Sequence, residues 1–467
     1  MKNWVVLVSL TVVPLIAGTQ PSLIDAVKSG DHAAIKALLQ KKADVNATEP
    51  DGSTALHWAS YRDDVETANL LIRAGAKVNV ATDLGVTPLW PASENGSSAM
   101  VRRLLEAGAN PNVALLSGET PLMVAARSGY PDVVAQLLAK DANINAHGTR
   151  GQTALMWAAA QQHPDVVKVL LANHADVNLR SDSWSQVMAI PPHGYLGYNK
   201  AIPHGGETAL MFAARVGDLE SAKLLVAAGA NVNDADAWGV SAVTLAAHSD
   251  FTDLVCFLLD KGADPNRYAN GFSALHEAIM RRNEIEIKSL LDHHADANAP
   301  LKTWTPTRRS SDDYHFDPSL VGATPFWLAA RLDDPNAMQM LLQHGADPKF
   351  VLDVTYVVEA GFAAAERKEK TTTLLAAVGV GGNATSWTPV ARSERPALTL
   401  EAVKQIVDLG VDVNAANADG STALDGAKAL GYQQVVDLLV SKGAKPGTGA
   451  LKRSRSRDSG VPGAEPK

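Results

Sequence analysis

Cysteine is almost missing from this chain: Cys256 stands alone among 467 residues. A single thiol excludes an internal disulfide and a multi-thiolate metal site. Its setting, LVCFLL, reads as that of a small buried apolar residue. Aromatic residues are scarce at 5%, although 46% of the chain is hydrophobic. The apolar content therefore rests on Ala, Leu and Val, which suits short, closely packed helices better than a core built on rings. Positive charge is in deficit as well. The formal charge is −8, yet residues 450–467 are basic (Lys452, Arg453, Arg455, Arg457 and Lys467 against Asp458 and Glu465), so the remainder is more acidic still. A body of that sign is a poor nucleic-acid binder, because clustered cations drive phosphate contact. The tail itself, rich in Ser, Gly and Pro, reads as disordered.

Long apolar runs are absent beyond the first residues. Trp4 to Ala17 is apolar, but a bilayer crossing needs about 20 such residues. With Lys2 ahead of it, Pro14 near its end and the small residues Ala17, Gly18 and Thr19 after it, the segment 1–19 reads as an export signal. The expected location is the periplasm or exterior of a bacterium. Catalytic signatures are missing too. HEAIM from His276 lacks the second His of a zinc-protease helix, and no nucleophile elbow, phosphate loop or haem-attachment motif occurs. His293 and His294 adjoin each other and point apart. No enzymatic activity, cofactor or resident metal is expected. The alternative is a metal or small ligand held by His193, His204 and His315, without the Cys or spaced carboxylates that would complete a ligand set. A secreted effector is a further alternative that the leader permits.

What the chain has in abundance is itself. GSTALHWA begins at Gly52, GVTPLWPA at Gly85, GETPLMVA at Gly118 and GQTALMWA at Gly151, a period of 33 residues. Repetition at that period implies stacked supersecondary units that contact only their neighbours. Each unit opens on a helix-capping Thr or Ser: Thr54, Thr87, Thr120, Thr153, Thr208, Ser241, Ser273, Thr324, Thr372 and Thr422, with an earlier unit in register from Pro21. Pro88, Pro121 and Pro325 stand in the first turn, where no N–H is needed. Leu and paired Ala then place a small-residue stripe on one helix face. A second helix ends in Leu-Leu, as at Leu70-Leu71 and Leu104-Leu105, and is stopped by Gly75, Gly108, Gly229, Gly262 or Gly345. The unit from Thr372 is degenerate, and Gly379 to Gly382 are expected to fray its first helix.

The pattern resembles the ankyrin-repeat family across about residues 21–446. The agreement is tightest at Gly52–Asn79, Gly206–Asn233 and Gly420–Ala444. The resemblance implies an all-α solenoid of about eleven helix-turn-helix units with β-hairpin fingers, and a scaffold that binds protein partners without enzymatic activity. The expected organisation is a signal peptide (1–19), N-terminal repeats (20–182), an inserted loop (183–205), central repeats (206–302), a second inserted loop (303–321), C-terminal repeats with insertions (322–449) and a disordered basic tail (450–467). A monomer without a membrane span or nucleic-acid partner is expected.

The insertions are the best functional lead, since extra residues in such arrays gather in loops on one face. Those after Asn178 and Asn298 carry Trp184, Tyr195, Tyr198 and Trp304, and Trp238 adds a ring on a finger of ordinary length; Trp, Tyr and Arg are enriched at interface hot spots. On the helices, the family's variable contact positions fall on Tyr61, Arg62, Arg127, Gln161, Arg215, His248, Arg281 and Arg331. A stripe of cations in an acidic body suits an acidic or aromatic partner patch. The competing readings are that the rings fold back on neighbouring fingers and that the cations make intramolecular ion pairs. Trp58, Trp157 and Phe212 share one helical position and read as packing between repeats.

Overall fold

The computed structural model describes residues 22–189, 199–268, 271–303, 318–360, 363–381 and 390–449. Among them are 22 α-helices and two antiparallel strand pairs, so the fold is mostly helical. The chain divides into two compact units, 1–143 and 144–467.

The first unit holds α1 (Leu23–Ser29), α2 (His32–Gln40), α3 (Ala55–Tyr61), α4 (Val65–Arg73), α5 (Leu89–Glu94), α6 (Ser98–Glu106), α7 (Pro121–Arg127) and α8 (Pro131–Leu138). Odd-numbered helices pack in one layer and even-numbered helices in another, and each pair is joined by a tight turn. Leu56, Leu89 and Leu122 fill the first layer, Leu71, Leu104 and Leu137 the second, and all are buried. Burying one such side chain contributes roughly 1.5–3 kcal/mol, so the stack is held by its Leu columns.

The second unit repeats the scheme. Its first-layer helices are α9 (Ala154–Ala160), α11 (Ala209–Val216), α13 (Ala242–His248), α15 (Ala274–Arg281), α17 (Pro325–Arg331), α19 (Thr373–Ala377) and α21 (Ala423–Leu430). The second layer is α10 (Pro164–Ala172), α12 (Leu219–Ala227), α14 (Thr252–Asp260), α16 (Glu284–Asp292), α18 (Pro335–Gln343), α20 (Arg395–Asp408) and α22 (Gln433–Ser441). Of the repeat-opening residues, Thr120, Thr153, Ser241, Ser273, Thr324 and Thr372 accept a hydrogen bond from the helix's third backbone N–H, as the sequence implies. The short α19 is followed by Gly379 at φ +72°, in keeping with its degenerate sequence.

The inserted stretch 183–205, expected as a loop, holds a strand pair instead, and a second strand pair lies among the insertions of the C-terminal repeats. β1 (Ser183–Ala189) pairs with β2 (Asn199–Gly205), and β3 (Val351–Ala360) with β4 (Ala363–Thr372). In β3 the side chains alternate: Leu352 and Tyr356 are buried while Val351, Asp353 and Thr355 face outward, the two-residue period of a half-buried strand. Gly205 closes β2 at φ +77°, where a Cβ would stand 1.8 Å from the Asp182 carbonyl, so only glycine fits. Cys256 also differs from expectation. It is half-buried, because Leu254, Val255, Leu258 and Leu259 form the inward stripe of α14 and position 256 lies to its side. The leader 1–19, the tail 450–467, most of the inserted loop 303–321 and residues 382–389 of the C-terminal repeats lie outside the described residues.

Successive units are also stapled by asparagine. Asn46 donates through Nδ2 to the Gly75 carbonyl at 3.2 Å and accepts from the Lys77 N–H at 2.8 Å. Asn79, Asn112, Asn233, Asn266, Asn298 and Asn414 make the same two bonds to the next unit. One amide thus satisfies the last carbonyls of one helical pair and the first donor of the finger beyond it. Asn112→Ala removes both bonds and is expected to destabilise the first unit by about 1–3 kcal/mol, read from the midpoint of urea unfolding. The residue at each helix stop is left-handed. Gly75 and Gly108 hold φ near +90°, whereas Lys42, Asp141, His174 and His294 stand there at φ +59° to +68°. Because L-residues resist that conformation, His174→Gly is expected to raise stability by about 0.5–1 kcal/mol in the same assay.

Candidate partner-binding surface

In the first unit the ends of α1 and α3 bring five side chains together. Trp58 donates from Nε1 to Glu49 Oε2 at 2.7 Å. Lys28 lies over the same ring, 4.4 Å from its centroid, and pairs with Glu49. Tyr61 meets Trp58 edge to face at 5.9 Å and is 63% exposed. Arg62 donates to the Lys28 carbonyl at 2.9 Å and makes no ion pair among the described residues. The result is a rigid aromatic step flanked by a guanidinium with unspent charge. Sequence reasoning singled out Tyr61 and Arg62, but assigned Trp58 to packing and did not include Lys28 or Glu49. In the structure Trp58 does both, since its indole is fixed by Glu49 and supports the exposed Tyr61.

The remaining cations are committed within the chain. Arg127 meets Glu119 at 2.8 Å in the first unit. In the second, Arg215 pairs with Glu207, and its guanidinium carbon lies 5.8 Å from the Phe212 ring centroid. Both pairs arise from the same phrase, GETPLMVAAR and GETALMFAAR, with Glu eight residues before Arg. His248 Nδ1 lies 3.0 Å from Glu277 Oε1, and Arg281 donates to the His248 carbonyl. Arg331 stands near the half-buried Asp333, whose carboxyl is raised above the usual range by desolvation although Arg395, Arg282 and Arg331 oppose the rise. Ion pairing within the array therefore accounts for much of the cationic stripe. Gln161 caps α9 and is exposed.

Trp184 on β1 stacks on His204 of β2 at 5.4 Å and 10°, with the Arg150 guanidinium 4.7 Å from its ring centre. That ring folds onto its own finger and keeps 36% of its surface exposed. Trp238 is half-buried, its backbone N–H held by Asp236 Oδ1 at 2.9 Å. Tyr195, Tyr198 and Trp304 lie outside the described residues, as do His193 and His315 of the alternative metal site. Among the described residues no group of His, Cys, Asp and Glu could hold a metal ion, and no helix is long and apolar enough to cross a membrane.

With two layers of short capped helices, recurrent fingers and Asn staples in place, comparison with known proteins places the chain. Ankyrin-repeat family profiles match residues 23–115, 108–181 and 195–269, with further matches at 155–226 and 321–353. The chain belongs to the ankyrin-repeat family, whose repeats are generally non-enzymatic modules for protein–protein interaction. It is 31% identical over 165 residues to a mitochondrial disaggregase of Bos taurus, covering 35% of this chain and 22% of that protein. It is 37% identical over 103 residues to a putative ankyrin repeat-containing protein of Treponema pallidum (strain Nichols), covering 21% of this chain and 35% of that protein. The matches thus span about a fifth to a third of these curated relatives. Among solved structures, the human ASB11 ankyrin repeat domain is similar at 31% identity with a TM-score of 0.43, covering 52% of this chain and 98% of that one.

Proposed function

We propose that the protein is a non-enzymatic scaffold of eleven two-helix units that captures a protein partner through its helix ends and fingers, and that residues 1–19 direct its export from a bacterial cytoplasm. The observation that carries the binding reading is the Tyr61 step: a ring 63% exposed, fixed against Trp58 and adjoined by the guanidinium of Arg62. A rigid aromatic beside a cation is the composition of an interface hot spot. The partner surface it fits is a carboxylate-bearing segment with an apolar or aromatic residue beside it. Trp184, Trp238, Gln161, Tyr195, Tyr198 and Trp304 are proposed as secondary contacts along the fingers and helix ends. Arg127, Arg215, His248, Arg281 and Arg331 are proposed as weaker ones, because a partner must compete with Glu119, Glu207 and Glu277 for three of them.

Cross-linking and affinity capture from envelope extract, followed by mass identification, tests this reading. A stoichiometric protein is expected, with recovery falling at least tenfold for the Tyr61→Ala/Arg62→Ala double variant and only about twofold for Arg127→Ala. Equal recovery by the double variant and the native chain would remove the Tyr61 step from the interface. Amino-terminal sequencing of the exported chain tests the leader, with a start close to residue 20 expected and a start at Met1 counting against it.

A further inference from the structure

Two buried carboxylates of the second unit have more acceptor atoms than donors. Glu277 on α15 and Glu286 on α16 are both inaccessible to solvent. Glu277 Oε1 lies 3.0 Å from His248 Nδ1, and Glu286 Oε1 accepts from Thr252 Oγ1 at 3.1 Å. The second oxygen of each is buried with no hydrogen-bond donor among the described residues. The charges around them do not balance. Asp250 faces Glu286 from the α13–α14 turn, and Glu277 and Arg281 face it from α15. The next cation, Arg282, is drawn away to Asp334 at the start of α18, 3.5 Å distant. Glu284 is held by Asn336 at 2.7 Å. Against Glu286 thus stand two carboxylates, Asp250 and Glu277, and one guanidinium, Arg281.

The turn over this knot depends on it. Asn283 caps α16 by accepting from the Glu286 N–H at 3.1 Å, and its amide donates to Asp250 Oδ1 at 2.8 Å and Thr252 Oγ1 at 2.7 Å. Arg282 holds a left-handed φ of 57°, as Asp63, Gln162, Asp250 and Asp333 do at the ends of their own first-layer helices. Arg281 is tied to the His248 carbonyl. We propose that the knot is a pH-sensitive latch: a protonated Glu286 keeps the α15–α16 turn closed, and loss of that proton opens the turn and releases Arg281 from His248. An ionised Glu286 in that dry space is disfavoured by burial and opposed by Asp250 and Glu277, and local opening to water relieves both. The latch requires no bound partner.

Hydrogen exchange by mass spectrometry on the full chain tests it, with rates corrected for the intrinsic effect of pH. Burial pushes the Glu286 carboxyl from 4.5 up to about 7, and a shift of that size makes opening about tenfold more populated at pH 8 than at pH 6. Peptides spanning 277–290 are expected to lose about tenfold protection over that range, while peptides spanning 55–105 keep theirs. Glu286→Gln is expected to abolish the loss. Should that variant fold poorly, Glu277→Gln removes one repelling charge and is expected to shrink the loss. An unchanged loss in the variant that folds, or no loss in the native chain, would overturn the latch.

Discussion

Trp327→Ala is expected to destabilise the second unit by about 3–5 kcal/mol, the range for deleting a large aromatic from a packed core. Trp327 is the largest fully buried side chain among the described residues, 1% exposed at the start of α17. Its helix entrance is capped by Thr324, and its Nε1 donates to the Thr371 carbonyl at 3.3 Å. The indole therefore ties α17 to the end of β4, just before Thr372 opens α19. Equivalent positions carry His57, Trp90, Met123, Met156, Met211 and His276, so this is where each unit adjusts its volume to its neighbour. Trp327→Phe keeps most of the volume but leaves the Thr371 carbonyl without its donor, and is expected to cost about 1–2 kcal/mol. Urea unfolding followed by circular dichroism measures both. The alanine variant is also expected to admit protease at residues 365–381 before global unfolding. A loss under 1 kcal/mol would show that the ring is not a structural anchor.

The second large effect is on pH dependence, where two buried groups act in opposite directions. His276 is fully buried beside Phe272, with Nδ1 on Ser273 and Nε2 3.2 Å from the Ala299 carbonyl. Burial lowers its pKa from 6.5 to about 4. The unfolded chain therefore binds this proton more readily, and stability falls as pH drops below 6.5, by about 3 kcal/mol once pH is below both values. Glu286 is raised from 4.5 to about 7 by burial. Here the folded chain binds the proton more readily, so stability is fully present below 4.5 and is lost as pH rises through 7, again by about 3 kcal/mol. Asp333 and Asp334 are raised by burial and act in the same sense as Glu286. Between about pH 4.5 and 6.5 the two slopes cancel, so the second unit is expected to be most stable there and to lose only about 1 kcal/mol beyond either end from these two groups. Denaturant midpoints across pH 4–9 give the curve. Glu286→Gln is expected to leave stability rising by about 3 kcal/mol from pH 4 to 6.5, and His276→Gln to leave it falling by about 3 kcal/mol from pH 4.5 to 7; variant curves that keep the native shape would falsify the assignment.

Much of this was legible beforehand, for reasons that can be named. Thr120, Thr153 and Thr324 cap helices because a hydroxyl before an apolar periodic run satisfies free backbone donors locally, whatever lies around it. The Leu columns were legible for the same reason: their spacing fixes the buried face. The Asn staples were equally present in the recurring Val-Asn and Pro-Asn phrases, but their role depends on a carbonyl about thirty residues away. The Glu119–Arg127 and Glu207–Arg215 pairs left a signal in their shared spacing of eight, yet a cation on a helix end looks the same in sequence whether it meets its own carboxylate or a partner's. Cys256 was misplaced because neighbouring apolar letters do not report which side of a helix turns inward.

The amino-acid sequence alone determined the repeat, its helix boundaries and its buried stripes, because those depend on contacts within a few residues and on a pattern repeated many times. Tertiary structure decided which charges are spent, that two of the inserted stretches pair as strands, that Trp58 supports an exposed Tyr61, and that Glu277 and Glu286 are buried near one another. Each of those depends on distances between side chains from different units and on the water excluded around them, and no local pattern of letters encodes either.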